Sequence, residues 1–153
     1  MSLSLKEVTL VCFDTRNVEV ALESMCSSLS QVKFAESVLF TSKVLCSEDV
    51  INKAKMLNIK LEFVSEIKSI SEYSYFILTK LDKYIHTKFC LLTQWDSWVI
   101  NSEFWDSDFL NYDYIGAIWP HYSENKIGNG GFSLRSKRLL ESTRHFIMSN
   151  SDF

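Results

Sequence analysis

This 153-residue sequence is poor in residues that interrupt regular structure, with one proline and four glycines. It also lacks a basic excess, because 16 Lys and Arg stand against 19 Asp and Glu, giving a formal net charge of −3. Such a chain does not attract nucleic acid or an anionic membrane through its bulk charge. We therefore expect no nucleic-acid partner, and any phosphate site must be local, built from a few amides, cations or a metal.

Long apolar runs are absent as well. No stretch approaches the roughly 20 apolar residues that span a bilayer, and the N-terminus has no apolar core of the signal-peptide kind. The cysteines at positions 12, 26, 46 and 90 form no CxxC pair and no Cys–His cluster at zinc spacing. This usage is typical of free thiols in a reducing compartment. We expect a cytoplasmic protein without a transmembrane segment.

Apolar runs of strand length alternate with helical stripes along the chain. The predicted strands are residues 8–13, 37–41, 61–64, 89–93, 114–119 and 132–135. The helical patterns cover residues 18–29, 50–57, 71–85 and 139–147, with a short helix within 101–112. Asn17, Ser47, Ser69 and Ser136 are the expected N-caps. Strands alternating with helices predict an α/β fold, a Rossmann-like, mostly parallel sheet flanked by helices.

In open sheets of this kind, ligands bind just outside the carboxyl ends of the strands. Right-handed crossovers place the segments that follow the first, second and fourth strands along one edge. We therefore expect one crevice to be faced by Thr15, Arg16, Asn17, Thr41 and residues 94–96.

The fourth predicted strand leads into one carboxylate, Asp96, which lies between Trp95 and Trp98. A carboxylate in this place can hold a hard divalent cation, Mn²⁺ or Mg²⁺, and that cation can hold a phosphate. The alternative is that Asp96 only begins a turn, as Asp commonly does. Position alone leaves both interpretations open.

Other candidate residues have an ordinary interpretation beside the functional one. Arg16 precedes a helix N-terminus, where it either binds a phosphate or is solvated beside an N-cap. Lys83 lies in the helical pattern before the Asp96 strand and points either to the crevice or to solvent. Residues 128–131 concentrate three of the four glycines, which either bring bare backbone to a ligand or form a flexible turn. They form neither a GxGxxG fingerprint nor a P-loop.

Four ordered motifs carry a family resemblance. They are Asp14-Thr15-Arg16-Asn17, Gln94-Trp95-Asp96 with Trp98, Tyr112-Asp113-Tyr114-Ile115-Gly116-Ala117 with Trp119-Pro120, and Gly128-Asn129-Gly130-Gly131-Phe132-Ser133-Leu134-Arg135-Ser136. In these motifs the sequence resembles the DUF5672 family, whose members are related to GT-A glycosyltransferases. The resemblance implies a GT-A-like domain that takes a sugar from a nucleotide-sugar donor, a UDP-sugar, and transfers it to a glycan or cell-surface acceptor.

The resemblance also implies roles for individual residues. Asp96 takes the place of the acidic motif that binds metal and diphosphate, although it stands alone and not in an Asp-x-Asp pair. The implied nucleotide-binding residues are Thr15, Arg16 and Asn17, and we add Thr41 and Lys83 to this set. The residues expected to frame the donor or acceptor sugar are Trp95, Trp98, Trp119, Gly130, Gly131 and Phe132.

The relatives continue with an acidic Glu-Asp segment, whereas the sequence here ends at Asp152-Phe153. We therefore expect one nucleotide-sugar-binding domain over residues 1–153, without that C-terminal acceptor or catalytic segment and without an assignable general base. The alternative function is a non-catalytic nucleotide- or glycan-binding module of the same fold. A third interpretation is an unrelated Rossmann-like domain of another enzyme class.

Overall fold

The computed structural model describes residues 3–124 and 126–150, and the side chain of Asn129 also lies outside the description. The strands are β1 (Leu3–Phe13), β2 (Val32–Thr41), β3 (Lys60–Phe63), β4 (Phe89–Thr93), β5 (Tyr114–Ile118) and β6 (Ile127–Ser136). The helices are α1 (Val18–Gln31), α2 (Glu48–Met56), α3 (Ile70–Thr79) and α4 (Lys137–Ser149). Short 3₁₀ turns cover Lys43–Leu45, Leu81–Tyr84, Ser102–Phe104 and Ser107–Asn111.

The described strands form one six-stranded sheet in the order β3-β2-β1-β4-β6-β5. Strand β1 pairs in parallel with β2 and β4, and β2 pairs in parallel with β3. Strand β6 is antiparallel to both of its neighbours, β4 and β5. Five of the six strands therefore point the same way, and the predicted α/β fold with a mostly parallel, helix-flanked sheet is confirmed.

Helices cover both faces of the sheet, which explains why its central strands are apolar almost throughout. All five residues of β4 are buried. On one side, called the α1 face, Leu10 and Leu39 pack with Leu22 of α1 and with α2. On the other, called the α3 face, alternate residues such as Val11 pack with Phe76 of α3 and with α4. The sheet thus separates two apolar layers, and neighbouring residues of a strand belong to different layers.

Three of the predicted serine caps are present. Ser47, Ser69 and Ser136 accept hydrogen bonds from the backbone N–H groups of Val50, Glu72 and Leu139 at 3.3, 3.1 and 3.0 Å. The predicted Asn17 cap is wrong, because the Asn17 side chain makes no capping hydrogen bond. The loop before α1 is held by Asp14, whose Oδ1 accepts from the N–H groups of Arg16 and Asn17 at 2.7 and 2.6 Å.

Two element boundaries differ from the prediction in ways that matter for the site. The helix predicted over 71–85 ends at Thr79 and is followed by the 3₁₀ turn Leu81–Tyr84. Strand β6 begins at Ile127, so the glycine concentration lies within a strand. Its pairing with β5 shifts from Gly116–Ser133 to Ala117–Asn129, and residues 130–132 therefore bulge out of the ladder.

Within residues 3–124 and 126–150, no helix has both the length and the apolar character needed to cross a membrane. The Asp152-Phe153 end of the sequence lies outside the described residues.

Candidate functional site

A cleft of about 970 Å³ opens on the α3 face, at the edge where the parallel strands end. Cys12 pairs with Thr93, so β1 and β4 end side by side. Ile118 pairs with Ile127, so β5 ends and β6 begins at this same edge. The strand ends contribute lining residues Arg16, Gln94, Trp119, Gly130, Gly131 and Arg135, while α3 and the loop before it form the opposite wall. The location is the one at which α/β sheets bind ligands.

The loop after β1 supplies the cleft with one cation. Thr15 is buried and its Oγ1 accepts a hydrogen bond from the N–H of Ile67 at 3.1 Å. Arg16 is exposed, and its Nη2 lies 3.5 Å from the carbonyl oxygens of Ile67 and Lys68. Asn17 is exposed just before the first turn of α1. Of the three residues predicted in this loop, Arg16 lines the cleft.

The turn after β4, residues 94–97, is fastened to α1. The Ser24 hydroxyl lies 2.9 and 2.7 Å from the carbonyl oxygens of the first and last residues of the turn. Asp96 is exposed within this turn, on the same edge of the sheet as the end of β1. Burial raises the pKa of Cys12 to about 12, and the negative charges of Asp14 and Asp96 add to that effect. Asp14 and Asp96 follow the adjacent strands β1 and β4 at the same edge of the sheet.

The residues near Asp96 offer few ligands for a metal ion. Across the described ranges there is no group of three or more His, Cys, Asp or Glu residues that could hold a metal ion. Asp96 offers one carboxylate, and Oδ1 of Asp14 already accepts two backbone hydrogen bonds. Mg²⁺ often uses one or two carboxylates together with substrate phosphates. Asp96 thus fits a cation that a bound phosphate also ligates.

Two glycines of β6 make room for large side chains. A Cβ atom on Gly128 would lie 3.0 Å from the Trp119 ring, and one on Gly130 would lie 2.7 Å from Nη2 of Arg135. Real Cβ atoms are not tolerated at such distances without a shift of the neighbour. These glycines therefore allow Trp119 and Arg135 to lie against the strand, and the close approach explains them better than a flexible turn does.

Arg135 is the buried cation of the cleft, with 8% of its surface exposed. Its Nε donates to Ser133 Oγ at 3.0 Å, and its Nη2 donates to the Gly130 carbonyl at 3.4 Å. The guanidinium carbon lies 5.3 Å from the centre of the Tyr114 ring. Among the described residues, no carboxylate forms an ion pair with Arg135.

Tyr73 of α3 also lines the cleft. Its hydroxyl is buried and makes no hydrogen bond of normal geometry to any residue that the structure describes. Burial raises the pKa of Tyr73 to about 12, whereas the Gln94 side chain and the positive charge of Arg135 act in the opposite direction. The cleft therefore combines a buried cation with a buried hydroxyl that has the Gln94 side chain beside it but makes no hydrogen bond of normal geometry.

The aromatic residues predicted to frame a sugar are divided between two sites. Trp119 lines the cleft, with its ring 5.5 Å from that of Tyr122. Trp98 and Phe132 line a second depression of about 560 Å³ on the α1 face, called here the apolar groove, which also contains Leu134. Trp95 is exposed on the turn after β4 and lines neither of these two sites.

Besides Thr15 and Asn17, two further residues predicted to bind the nucleotide do not line the cleft. Thr41 is fully buried at the end of β2, so a ligand in the cleft cannot reach its side chain. Lys83 is exposed on the 3₁₀ turn Leu81–Tyr84, beyond the end of α3, and does not line the cleft. The break after Thr79 removes Lys83 from the helix that forms the cleft wall.

Sequence reasoning did not select Tyr73, placed Gln94 at the crevice only as part of the segment 94–96, and noted Arg135 only as a residue that follows the glycines. A signal for Arg135 was present, because Ser133 and Arg135 are polar residues at alternate positions of a strand that also carries Phe132 and Leu134. Such alternation places the arginine on the face opposite its apolar neighbours. Nothing in the local pattern of α3 distinguishes Tyr73 from its other aromatic residues.

Known proteins with this fold include enzymes that transfer groups. The chain is similar to the glycosyltransferase GlyE of Streptococcus pneumoniae TIGR4, with a TM-score of 0.55 and 15% identity over 92% of this chain and 37% of that one. The apo form of GlyE gives 0.53 and 15%, over 97% and 38%. A cytidylyltransferase from Leptospira borgpetersenii serovar Hardjo-bovis (strain JB197) gives 0.50 and 14%, over 100% and 66%.

At these identities the likeness shows the fold alone, and the chain spans well under half the length of GlyE. No curated protein matches the chain in sequence. A family match covers residues 53–150, which is more than half of the chain. The chain therefore belongs to the family described as "Protein of unknown function (DUF5672)".

Proposed function

We propose that the protein is a glycosyltransferase of the GT-A type that moves a sugar from a UDP-sugar to a glycan or cell-surface acceptor. The observation that carries this proposal is the cleft at the carboxyl ends of the strands, which collects Arg16, Trp119 and the bulged backbone of Gly130 and Gly131. The fold supports it, because the similar structures belong to a glycosyltransferase and a cytidylyltransferase.

Each of these residues has a role in the proposal that follows from its chemistry. Arg16 binds a phosphate or a carbonyl of the base, since a guanidinium presents forked N–H donors. Trp119 offers an aromatic face to the sugar ring. Gly130 and Gly131 carry no side chain, so the sugar or the diphosphate can approach the backbone closely.

Asp96 is the proposed ligand for Mn²⁺ or Mg²⁺ shared with the diphosphate. When bound, such a cation neutralises negative charge on the leaving nucleotide. Asp96 does not itself line the cleft, but the turn that carries it follows β4, which ends beside β1, and this shared edge supports the role.

The proposed reaction breaks the bond between the anomeric carbon and the phosphate oxygen, and the electron pair leaves with the nucleoside diphosphate. A new bond joins the anomeric carbon to an acceptor hydroxyl oxygen, which loses its proton. The cleft contributes orientation by holding the donor against a rigid strand edge. We assign no general base.

The test measures thermal unfolding of the chain with UDP and Mn²⁺, followed by hydrolysis or transfer of a UDP-sugar. Ligand at one hundred times its Kd stabilises the folded state by about 2.7 kcal/mol. Asp96→Ala removes the Mn²⁺-dependent part of the shift, whereas Glu103→Ala, a change at another exposed carboxylate, leaves it intact. Stabilisation by UDP without turnover of any UDP-sugar identifies a non-catalytic binding module, and no response to nucleotides contradicts both functions.

A further inference from the structure

We infer that Arg135 is the anion-binding residue at the floor of the cleft and that it holds the diphosphate of the donor nucleotide. The identity of the nucleotide rests on the proposed function above. The presence of an anion site rests on the surroundings of Arg135 alone.

The first argument is the uncompensated charge of Arg135. A guanidinium stays protonated in proteins, and buried charges are normally paired. In the same fold, the buried carboxylate of Asp82 has Arg144 at 2.7 Å. Arg135 is about as buried as Asp82, yet its hydrogen-bond acceptors in the described residues are the neutral oxygens of Ser133 and Gly130. An anion in the cleft supplies the missing countercharge.

The second argument is the direction of the guanidinium. It reaches along β6 from position 135 to the carbonyl of Gly130, and both residues line the cleft. These contacts use two of its five N–H donors, which leaves donors for a ligand. A planar fork of this kind binds phosphate or carboxylate oxygens in pairs. Gly130 keeps the space that this position of the guanidinium requires.

The third argument is the hydroxyl of Tyr73, which is buried on the opposite wall of the cleft near the Gln94 side chain and makes no hydrogen bond of normal geometry. Native structures rarely leave such a group unsatisfied unless a ligand or water completes it. An anionic oxygen bound by Arg135 can accept a hydrogen bond from this hydroxyl. One ligand therefore satisfies both buried groups.

The kind of anion follows from the other cations of the cleft. Arg16 and Lys68 line its rim and are exposed, whereas Arg135 lies at its floor. Three cations along one cleft suit the several negative charges of two linked phosphate groups better than the single charge of a carboxylate. The cleft therefore matches the diphosphate part of a nucleoside diphosphate.

The experiment measures the affinities of inorganic pyrophosphate, UDP and uridine by titration calorimetry. We expect Arg135→Gln to weaken pyrophosphate and UDP by about 10- to 100-fold, the loss typical of a charge-assisted hydrogen-bond pair. Uridine binding stays unchanged because uridine has no phosphate. Arg138→Gln is the matched control, since Arg138 is exposed and pairs with Asp113 at 2.6 Å.

The outcomes separate this inference from the proposed function. UDP that binds Arg135→Gln as tightly as the wild-type chain overturns the anion site and leaves the proposed function standing. Pyrophosphate that binds through Arg135, without binding of UDP or any UDP-sugar, supports the anion site and contradicts the proposed function. Circular dichroism verifies folding of the variant. Should it not fold, Gly130→Ala provides the same test, because its Cβ displaces the guanidinium.

Discussion

The cleft and the apolar groove lie on opposite faces of the same strand. Leu134 and Arg135 are neighbours in β6, yet Leu134 lies in the groove and the α1-face core, whereas Arg135 lies in the cleft. Because successive side chains of a strand point to opposite faces, β6 presents an apolar side chain to the α1 face and a charged one to the cleft. Two residues that are neighbours in the sequence of β6 can therefore belong to different sites.

The tryptophans show the same separation on a larger scale. Trp98 comes after the turn that follows β4 and lines the groove, whereas Trp119 comes directly after β5 and lines the cleft. An aromatic-rich stretch of sequence therefore serves two surfaces, and the proposed binding of the donor concerns only one of them. Substitutions on the two faces should have different consequences, which the following predictions use.

The largest expected effect is on stability and belongs to the groove side. Leu134 is 4% exposed and packs in the α1-face core, so Leu134→Ala should lower the free energy of unfolding by about 2–5 kcal/mol. Urea denaturation measures this loss. UDP affinity, measured below the unfolding transition, should be unchanged, and a loss of affinity without destabilisation would contradict the separation of the faces.

The next effect is on donor binding and compares two tryptophans. Trp119→Ala should weaken a UDP-sugar by about 10-fold, because the sugar loses its aromatic surface. Trp98→Ala should leave that affinity unchanged, since Trp98 lines the groove. Titration of both variants with the same UDP-sugar makes the measurement. Equal losses in the two variants would show that the groove takes part in donor binding.

A smaller effect separates the two spacer glycines of β6. Gly130→Ala forces the Arg135 guanidinium to move and should weaken pyrophosphate by about 3- to 10-fold. Gly128→Ala displaces the Trp119 ring instead and should leave pyrophosphate affinity unaltered. Pyrophosphate titration of both variants distinguishes them. A smaller loss of pyrophosphate affinity in Gly130→Ala than in Gly128→Ala would mean that Arg135 does not contact the anion.

The smallest effect concerns Tyr73. Tyr73→Phe removes a buried hydroxyl that makes no hydrogen bond of normal geometry and should change the free energy of unfolding at pH 8 by less than about 1 kcal/mol. Burial raises the pKa of Tyr73 from 10.0 to about 12, so its protonated form is favoured in the folded state. That contribution is fully present below the unfolded pKa and is lost as the pH rises through the folded value.

Wild-type protein should therefore lose stability relative to Tyr73→Phe between pH values near 10 and 12. Urea unfolding of both proteins across this range makes the comparison. Parallel pH profiles would show that the Tyr73 hydroxyl is not buried as the structure has it.

Local patterns were sufficient to find the six strands, although β1, β2 and β6 each begin five residues earlier than predicted. Strand β4 was predicted over the residues that it occupies, because an apolar run buried on both faces has few alternatives. The bulge at residues 130–132 depends on pairing with β5, which local sequence does not contain. Asn17 does not cap α1 with its side chain, and its own N–H is instead bound by Asp14 Oδ1.

The candidate site was predicted only in part. The strand-end rule placed Arg16 and Gln94 at the edge where the cleft lies, and Trp119 was named through the family resemblance, but the rule does not say where a side chain points. Thr41 ends a strand at the same edge and is nevertheless fully buried. Tyr73 and Arg135 reach the cleft through packing between α3 and β6, and contacts between distant elements are not visible in local periodicity.

The central claim is that a nucleoside diphosphate occupies the cleft and not the groove. The four tryptophans, at positions 95, 98, 105 and 119, give four indole N–H signals in a proton–nitrogen correlation spectrum. Titration with UDP should shift the Trp119 signal and leave those of Trp98 and Trp105, which line the groove, in place. Shifts confined to Trp98 and Trp105, or no shift at a saturating UDP concentration, would contradict the account.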